Sequence, residues 1–211
     1  PKIEEADSRA GEKINDSIWK HPTLLFGALA IFTYVGAEVA IGSFMVSYFS
    51  QRDIAGLSAK AAAGYVSFFW GGAMIGRFVG AGILQRVKTQ YLLGVCAVCC
   101  ATLVIVSMFT AGHVAMWSMI AVGLFNSIMF PSIFALGVAE LGPLTARGSG
   151  LMNMAIVGGA IIPVIQGAIA DRVGIHHAFI VPVICYLYIM FYALRGSKPN
   201  SERCANYVDV L

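Results

Sequence analysis

The chain has 211 residues, of which 58% are hydrophobic and 12% charged, with 14 Lys and Arg against 11 Asp and Glu for a formal net charge of +3. Ordinary soluble domains carry about 25% charged residues, so a water-solvated globule is excluded, and so small a net charge gives no nucleic-acid signal. The charges cluster at the two ends and in short breaks between apolar runs, the distribution of an integral membrane protein.

Residues 1–20, PKIEEADSRAGEKINDSIWK, mix both signs of charge and lack an apolar stretch, so they do not match a cleavable secretory segment. They read as a cytoplasmic connecting segment, with Trp19 and Lys20 suited to the headgroup boundary. Asn15-Asp16-Ser17 fits a glycosylation pattern, which on the cytoplasmic side goes unused.

Six apolar runs follow, each near the roughly 20 residues that cross about 30 Å of hydrocarbon. They are predicted from Pro22 to Phe49, Ala61 to Leu84, Tyr91 to Phe109, Ala115 to Val138, Gly148 to Ala170 and Ala178 to Leu194. Residues 21–195 thus form one six-helix bundle, and residues 196–211 a tail on the same side as the start. Placing both ends in the cytoplasm puts ten Lys and Arg inside and three (Arg52, Lys60, Arg172) outside, as the positive-inside bias requires.

The first span holds Glu38, the one carboxylate deep in any run, with Tyr34 four residues earlier on the same helix face and Gly42 one turn on. A buried carboxylate must be repaid by a partner or a role, so Glu38 either lines a pathway or bonds neighbouring helices. Gly72, Gly76 and Gly80 give the second span a flat face for close packing. Arg77 lies about 12 Å from Gln85 along the axis; it serves a cytoplasmic gate together with Arg147, or snorkels to the surface.

The third span has no charge and reads as a lipid-facing support. Its Cys96, Cys99 and Cys100 lack a second ligand pair, so they are filler, as is Cys185.

The fourth and fifth spans are interrupted by polar, Gly and Pro residues that a lipid anchor does not need. Asn126, with Phe130 one turn on, is a pathway candidate, because an amide at depth must face protein or a watery cavity. Asn153 suits a pathway or a helix-to-helix bond equally. Gln166 is pathway-lining or interfacial. Pro131 and Pro163 kink their helices, and Gly158 is a packing position. His176-His177 reads as an interfacial turn rather than a metal site, and Tyr186, Tyr188, Phe191 and Tyr192 as an aromatic interface belt.

The second and fifth spans end alike, GAGILQRV at 80–87 and QGAIADRV at 166–173, an offset of 86 that also pairs Gly64 with Gly150 and Gly72 with Gly158. Repeats of three spans must lie in the membrane in opposite senses, a 3+3 inverted repeat. No nucleophile–base pair, ligand cluster or phosphate loop is present, so neither an enzyme nor a cofactor is expected.

The runs YVGAEVAIGSF, SFFWGGAMIGRFVGAGILQRV, GLFNSIMFPSIFALGVAELGPLTARGSG and VGGAIIPVIQGAIADRVGIHHAFIVP closely resemble the carboxy-terminal half of bacterial sugar:cation symporters of the fucose permease and glucose/galactose transporter branch. The resemblance implies an all-α polytopic membrane protein, spans seven to twelve of a twelve-span major facilitator fold in the bacterial inner membrane. It implies cation-coupled transport of a monosaccharide by alternating access. H⁺ or Na⁺ would be the coupling ion, the sugar and an amino-terminal six-helix half the partners. Sugar hydroxyls need amides and carboxylates, and the apolar ring face needs an aromatic platform. The substrate-site candidates are therefore Tyr34, Glu38, Asn126, Phe130, Asn153 and Gln166, with Phe69 and Trp70 as further platforms. A six-span channel or homodimeric half-carrier for a small polar solute is the alternative.

Overall fold

The computed structural model of the chain describes residues 17–139 and 141–197. The expected connector before Ser17, most of the glycosylation pattern and the tail beyond Ser197 lie outside the described residues. Helices long and apolar enough to span a membrane run Pro22–Phe49, Ala59–Leu84, Thr89–Phe109, Gly112–Val138, Gly142–Val173 and Ile175–Gly196, with mean hydropathy from 1.3 to 2.6. No strand occurs among the described residues. The fold is all-α, and six crossings bring entry and exit to one end of the bundle, here the terminal end.

Local chemistry sets the boundaries. Pro22 opens the first span at a position whose N–H is not needed. The Ser58 hydroxyl caps the second, accepting from the Ala61 N–H at 3.4 Å. Gly174, at φ +86°, reverses the chain between the fifth and sixth. The fourth span is two helices, Gly112–Asn126 and Met129–Val138. Pro131 has no N–H for the Ser127 carbonyl four residues back, and its ring crowds that carbonyl, so the ladder breaks at Ser127-Ile128. The fifth passes from Thr145–Met154 through a 3-10 turn, Ala155–Val157, into Gly158–Val173 around Pro163.

Lipid tails are as apolar as leucine, so the helices associate through close van der Waals contact rather than hydrophobic expulsion. Two parallel pairs carry the closest approaches. A Cβ on Gly36 of the first span would collide with Ile162 of the fifth, and one on Gly158 with the Phe32 carbonyl. In the other pair, a Cβ on Gly76 of the second span would collide with the Leu124 carbonyl of the fourth, and one on Gly123 with the Phe69 carbonyl. Shifting by the repeat offset carries the Gly36–Ile162 contact onto the Gly76–Leu124 contact to within two positions, so the inverted repeat is present in the packing as well as in the sequence.

Gly80 sits 3.0 Å (from a notional Cβ) against Ile128, whereas the same position on Gly72 reaches Leu124 only at 3.6 Å. Of the three glycines expected on that flat face, Gly76 needs the missing side chain most and Gly72 least.

Two expectations are corrected. The third span is more than a lipid-facing support: Tyr91, Val95, Val98 and Ile105 are exposed on one side, while the other packs against the fourth and sixth spans and buries Cys96, Cys100, Val104 and Ser107. Its lack of charge reflects a core position as well as lipid contact. Tyr186 and Tyr192 are wholly buried, so no four-residue belt forms.

At the far end the Tyr48 hydroxyl lies 2.8 Å from the Ser107 carbonyl and 2.9 Å from its hydroxyl, and the Gly112 N–H donates to the Asp53 carbonyl at 2.8 Å. His176, expected as a simple turn residue, pairs with Asp53 at 3.1 Å and stands edge-on to the Tyr48 ring. Tyr48→Phe should cost about 1 kcal/mol, the net worth of a buried hydrogen bond, and lower the melting temperature by roughly 2–4 °C. Thermal unfolding in detergent beside Tyr65→Phe is the check; equal melting temperatures for the two variants would remove this tie.

Candidate functional site

The first span runs antiparallel to the fourth and packs chiefly on its Met129–Val138 segment, with Gly27 beside Gly137 at the terminal end, while at the far end the loop after the first span touches the fourth through the Asp53 carbonyl and the Gly112 N–H. Midway, the break at Ser127-Ile128 leaves Asn126 as the last residue of its helical segment. There the polar side chains meet. The Tyr34 hydroxyl lies 3.1 Å from Glu38 Oε1 and 3.1 Å from the backbone carbonyl of Asn126, and the Tyr186 hydroxyl of the sixth span donates to Asn126 Oδ1 at 3.0 Å.

Tyr34, Tyr186 and Asn126 are buried, while Glu38 is only half-buried and presents its carboxylate at the edge of the cluster. Asn126 Nδ2 makes no well-formed hydrogen bond, although its amide lies near enough to the Glu38 carboxylate to act on it as a donor. A buried N–H₂ donor left unmet costs about 1–3 kcal/mol. Beside an accessible carboxylate it forms a donor–acceptor pair that a polyhydroxylated molecule can satisfy. Phe130 packs on Tyr34 with ring centroids 6.2 Å apart, and Phe134 stacks beyond it at 6.2 Å.

Trp70 of the second span is exposed and lies against Gly42, one turn beyond Glu38 on the first span. Arg77, also exposed, forms no ion pair with Glu38.

The other expected residues lie apart. Phe69 is wholly buried against Gly123 and offers no platform. Asn153 is exposed, as is Arg147, and no hydrogen bond joins either side chain to the cluster. Gln166 is not interfacial: it is fully buried one turn beyond Ile162, facing the first span, and both its amide atoms lack partners. Pro131 sets the break beside the cluster, and Pro163 lies one turn from Gly159 at the junction of the first and fifth spans. Tyr186 is the member that sequence reasoning missed. In an apolar run a tyrosine suits an interface or a core equally, and only the rotation of the helix decides.

Among the described residues no group of three or more His, Cys, Asp or Glu is arranged to hold a metal ion. The second and fifth spans are the least buried, each about 22% against 44–61% for the others, so one side of each lacks a helical neighbour. Phe78 and Met74 on the second and Val164 and Met154 on the fifth are exposed there.

No family model matches the chain. It is 50% identical over 198 residues to a glucose/galactose transporter of Brucella abortus, covering 94% of this chain and 48% of that protein. It is 34% identical over 174 residues to the L-fucose-proton symporter of Escherichia coli, covering 82% of this chain and 40% of the symporter. The chain therefore spans about half the length of the curated relatives it matches. Among solved structures it resembles a major facilitator superfamily transporter, FucP, in the outward conformation, with a TM-score of 0.80 and 32% identity over 84% of this chain and 43% of that one. A peptide transporter at 16% identity and a TM-score of 0.73 shares the fold.

Proposed function

From a chain homologous to the carboxy-terminal six-helix half of major facilitator sugar transporters, we propose that it supplies half of a cation-coupled monosaccharide transporter working by alternating access. The observation that carries this reading is the mid-span cluster of Tyr34, Glu38 and Asn126, polar groups at depth with a donor that lacks a well-formed bond and a half-buried carboxylate. Such groups are tolerated in a bilayer when they face protein or water. Glu38 accepts sugar hydroxyls, Asn126 Nδ2 donates to them, and Phe130 and Trp70 meet the apolar ring face. Asn153 and Gln166 join the pathway in another conformational state, and Arg77 and Arg147 gate its cytoplasmic mouth.

The missing partner is an amino-terminal six-helix half, which the length of the relatives and the open sides of the second and fifth spans support. Residues 1–20 connect the halves in the cytoplasm, residues 21–195 form the bundle, and residues 196–211 are a cytoplasmic tail in a bacterial inner-membrane protein. Glucose or galactose is the favoured substrate because the relative at 50% identity is named for both, and a proton the favoured coupling ion because the Escherichia coli relative is a proton symporter. Each charge entering down the membrane potential supplies about 2.3 kcal/mol per 100 mV.

The test is uptake of labelled glucose, galactose, fucose and N-acetylglucosamine by the full-length protein in proteoliposomes, with and without proton or sodium gradients. Glu38→Gln should lower gradient-driven uptake at least tenfold at equal folded protein. Undiminished uptake by this variant would refute the assignment of Glu38, and sugar flux through the 211-residue chain alone would favour the half-carrier.

A further inference from the structure

We propose that the groove between the third and sixth spans at the terminal end of the bundle is a binding site for one anionic glycerophospholipid. This site is separate from the polar cluster and does not depend on sugar transport, only on the spans lying in a bilayer.

The groove has a volume of about 320 Å³ and is lined by Tyr91, Gly94, Val95 and Val98 of the third span and Met190 and Leu194 of the sixth, with Cys99 at its deep end. Its wall is almost wholly apolar. Gly94 forms the floor, because its missing side chain lets the helices close until a Cβ there would meet Ala193 Cβ at 3.6 Å. Exposed Val95 and Val98 stand as a ridge on one side and exposed Leu194 on the other. From Tyr91 to Cys99 the groove runs about 12 Å along the helix axis at 1.5 Å per residue. One leaflet supplies roughly 15 Å of hydrocarbon, so the groove holds the upper part of one acyl chain lying along the membrane normal.

The mouth identifies the headgroup. Lys88 caps the third span one turn before Tyr91, and Arg195 directly follows Leu194; both are exposed. Neither 84–94 nor 188–197 carries a carboxylate to neutralise them. Tyr91, also exposed, is placed at the same level to offer its hydroxyl to a phosphate or glycerol oxygen. Two cations and a hydroxyl above an apolar slot are complementary to a lipid phosphate above its chain, and basic pockets between spans select anionic headgroups in this way.

Native mass spectrometry of the full-length protein, taken from nanodiscs of equal phosphatidylglycerol and phosphatidylcholine, tests the site. The wild-type protein should retain one phosphatidylglycerol over phosphatidylcholine by roughly tenfold, since each nearby cation favours an anionic surface. Lys88→Gln with Arg195→Gln should bring that ratio close to one while leaving the melting temperature in detergent unchanged. Val98→Trp, which fills the slot from an exposed position, should abolish retention of either lipid. A ratio near one in the wild type, or a ratio indifferent to all three substitutions, overturns the proposal. A protein dimer lost on Val98→Trp, in place of a lipid adduct, also overturns it and assigns the groove to a second copy of the protein.

Discussion

Gly158→Leu is expected to prevent the bundle from assembling. A Cβ at that position overlaps the Phe32 carbonyl, a backbone atom that cannot turn aside as a side chain can. Overpacking a core costs typically 1–3 kcal/mol where side chains can shift. Here the first and fifth spans must separate, so the loss should exceed that range and remove most folded protein. Size-exclusion chromatography of the full-length protein in detergent measures it, with Gly150→Leu as the control because a Cβ on Gly150 meets nothing within 4 Å in this chain. Matching monodisperse yields for the two variants would show that the crossing at Gly158 is looser than described. By the repeat relation, Gly76→Leu should fail in the same manner at the second and fourth spans.

Asn126→Ala is expected to lower uptake at least tenfold and to weaken the fold at once. It removes the acceptor of the buried Tyr186 hydroxyl, bonded at 3.0 Å, which costs about 1–3 kcal/mol, and it removes the amide donor beside Glu38. Tyr186→Phe separates the two effects, since it breaks the same hydrogen bond and keeps the amide. If Asn126 binds sugar, uptake per folded molecule should fall tenfold or more in Asn126→Ala and far less in Tyr186→Phe. Equal losses in the two variants would make Asn126 a structural tie between the fourth and sixth spans.

Much of the architecture is legible in the sequence because a bilayer leaves backbone groups few options. Run length alone locates the first four spans to within three residues at each end. The fifth is longer than its apolar run. Its helical path begins at Gly142, since Gly142-Pro143-Leu144-Thr145-Ala146-Arg147, left outside the apolar run that starts at Gly148, continues into the span. The sixth begins at Ile175 because Gly174 restarts the helix three residues before the apolar pattern does.

In the candidate site, Tyr34, Glu38 and Asn126 can be singled out because polar groups at depth demand an explanation. Their meeting depends on the pairing of the first and fourth spans, which no local pattern specifies. Helix rotation hides the remainder. Phe69 and Trp70 are adjacent in sequence and have similar chemistry, yet one is locked under Gly123 and the other open beside Gly42. Gln166 reads as a boundary residue from its distance to the loop, and lies inside because its face is that of Ile162.

The fracture in the fourth span lies next to the residue whose carbonyl Tyr34 holds. Any change of angle between the two rods, Gly112–Asn126 and Met129–Val138, would turn about a joint that carries part of the polar cluster. A solute gripping Glu38 and Asn126 together would bias the angle of that joint, and the angle would in turn set how tightly the solute is held, since such linkage acts equally in both directions. Recognition and shape change would then share one piece of machinery, with no signal relayed across the bundle.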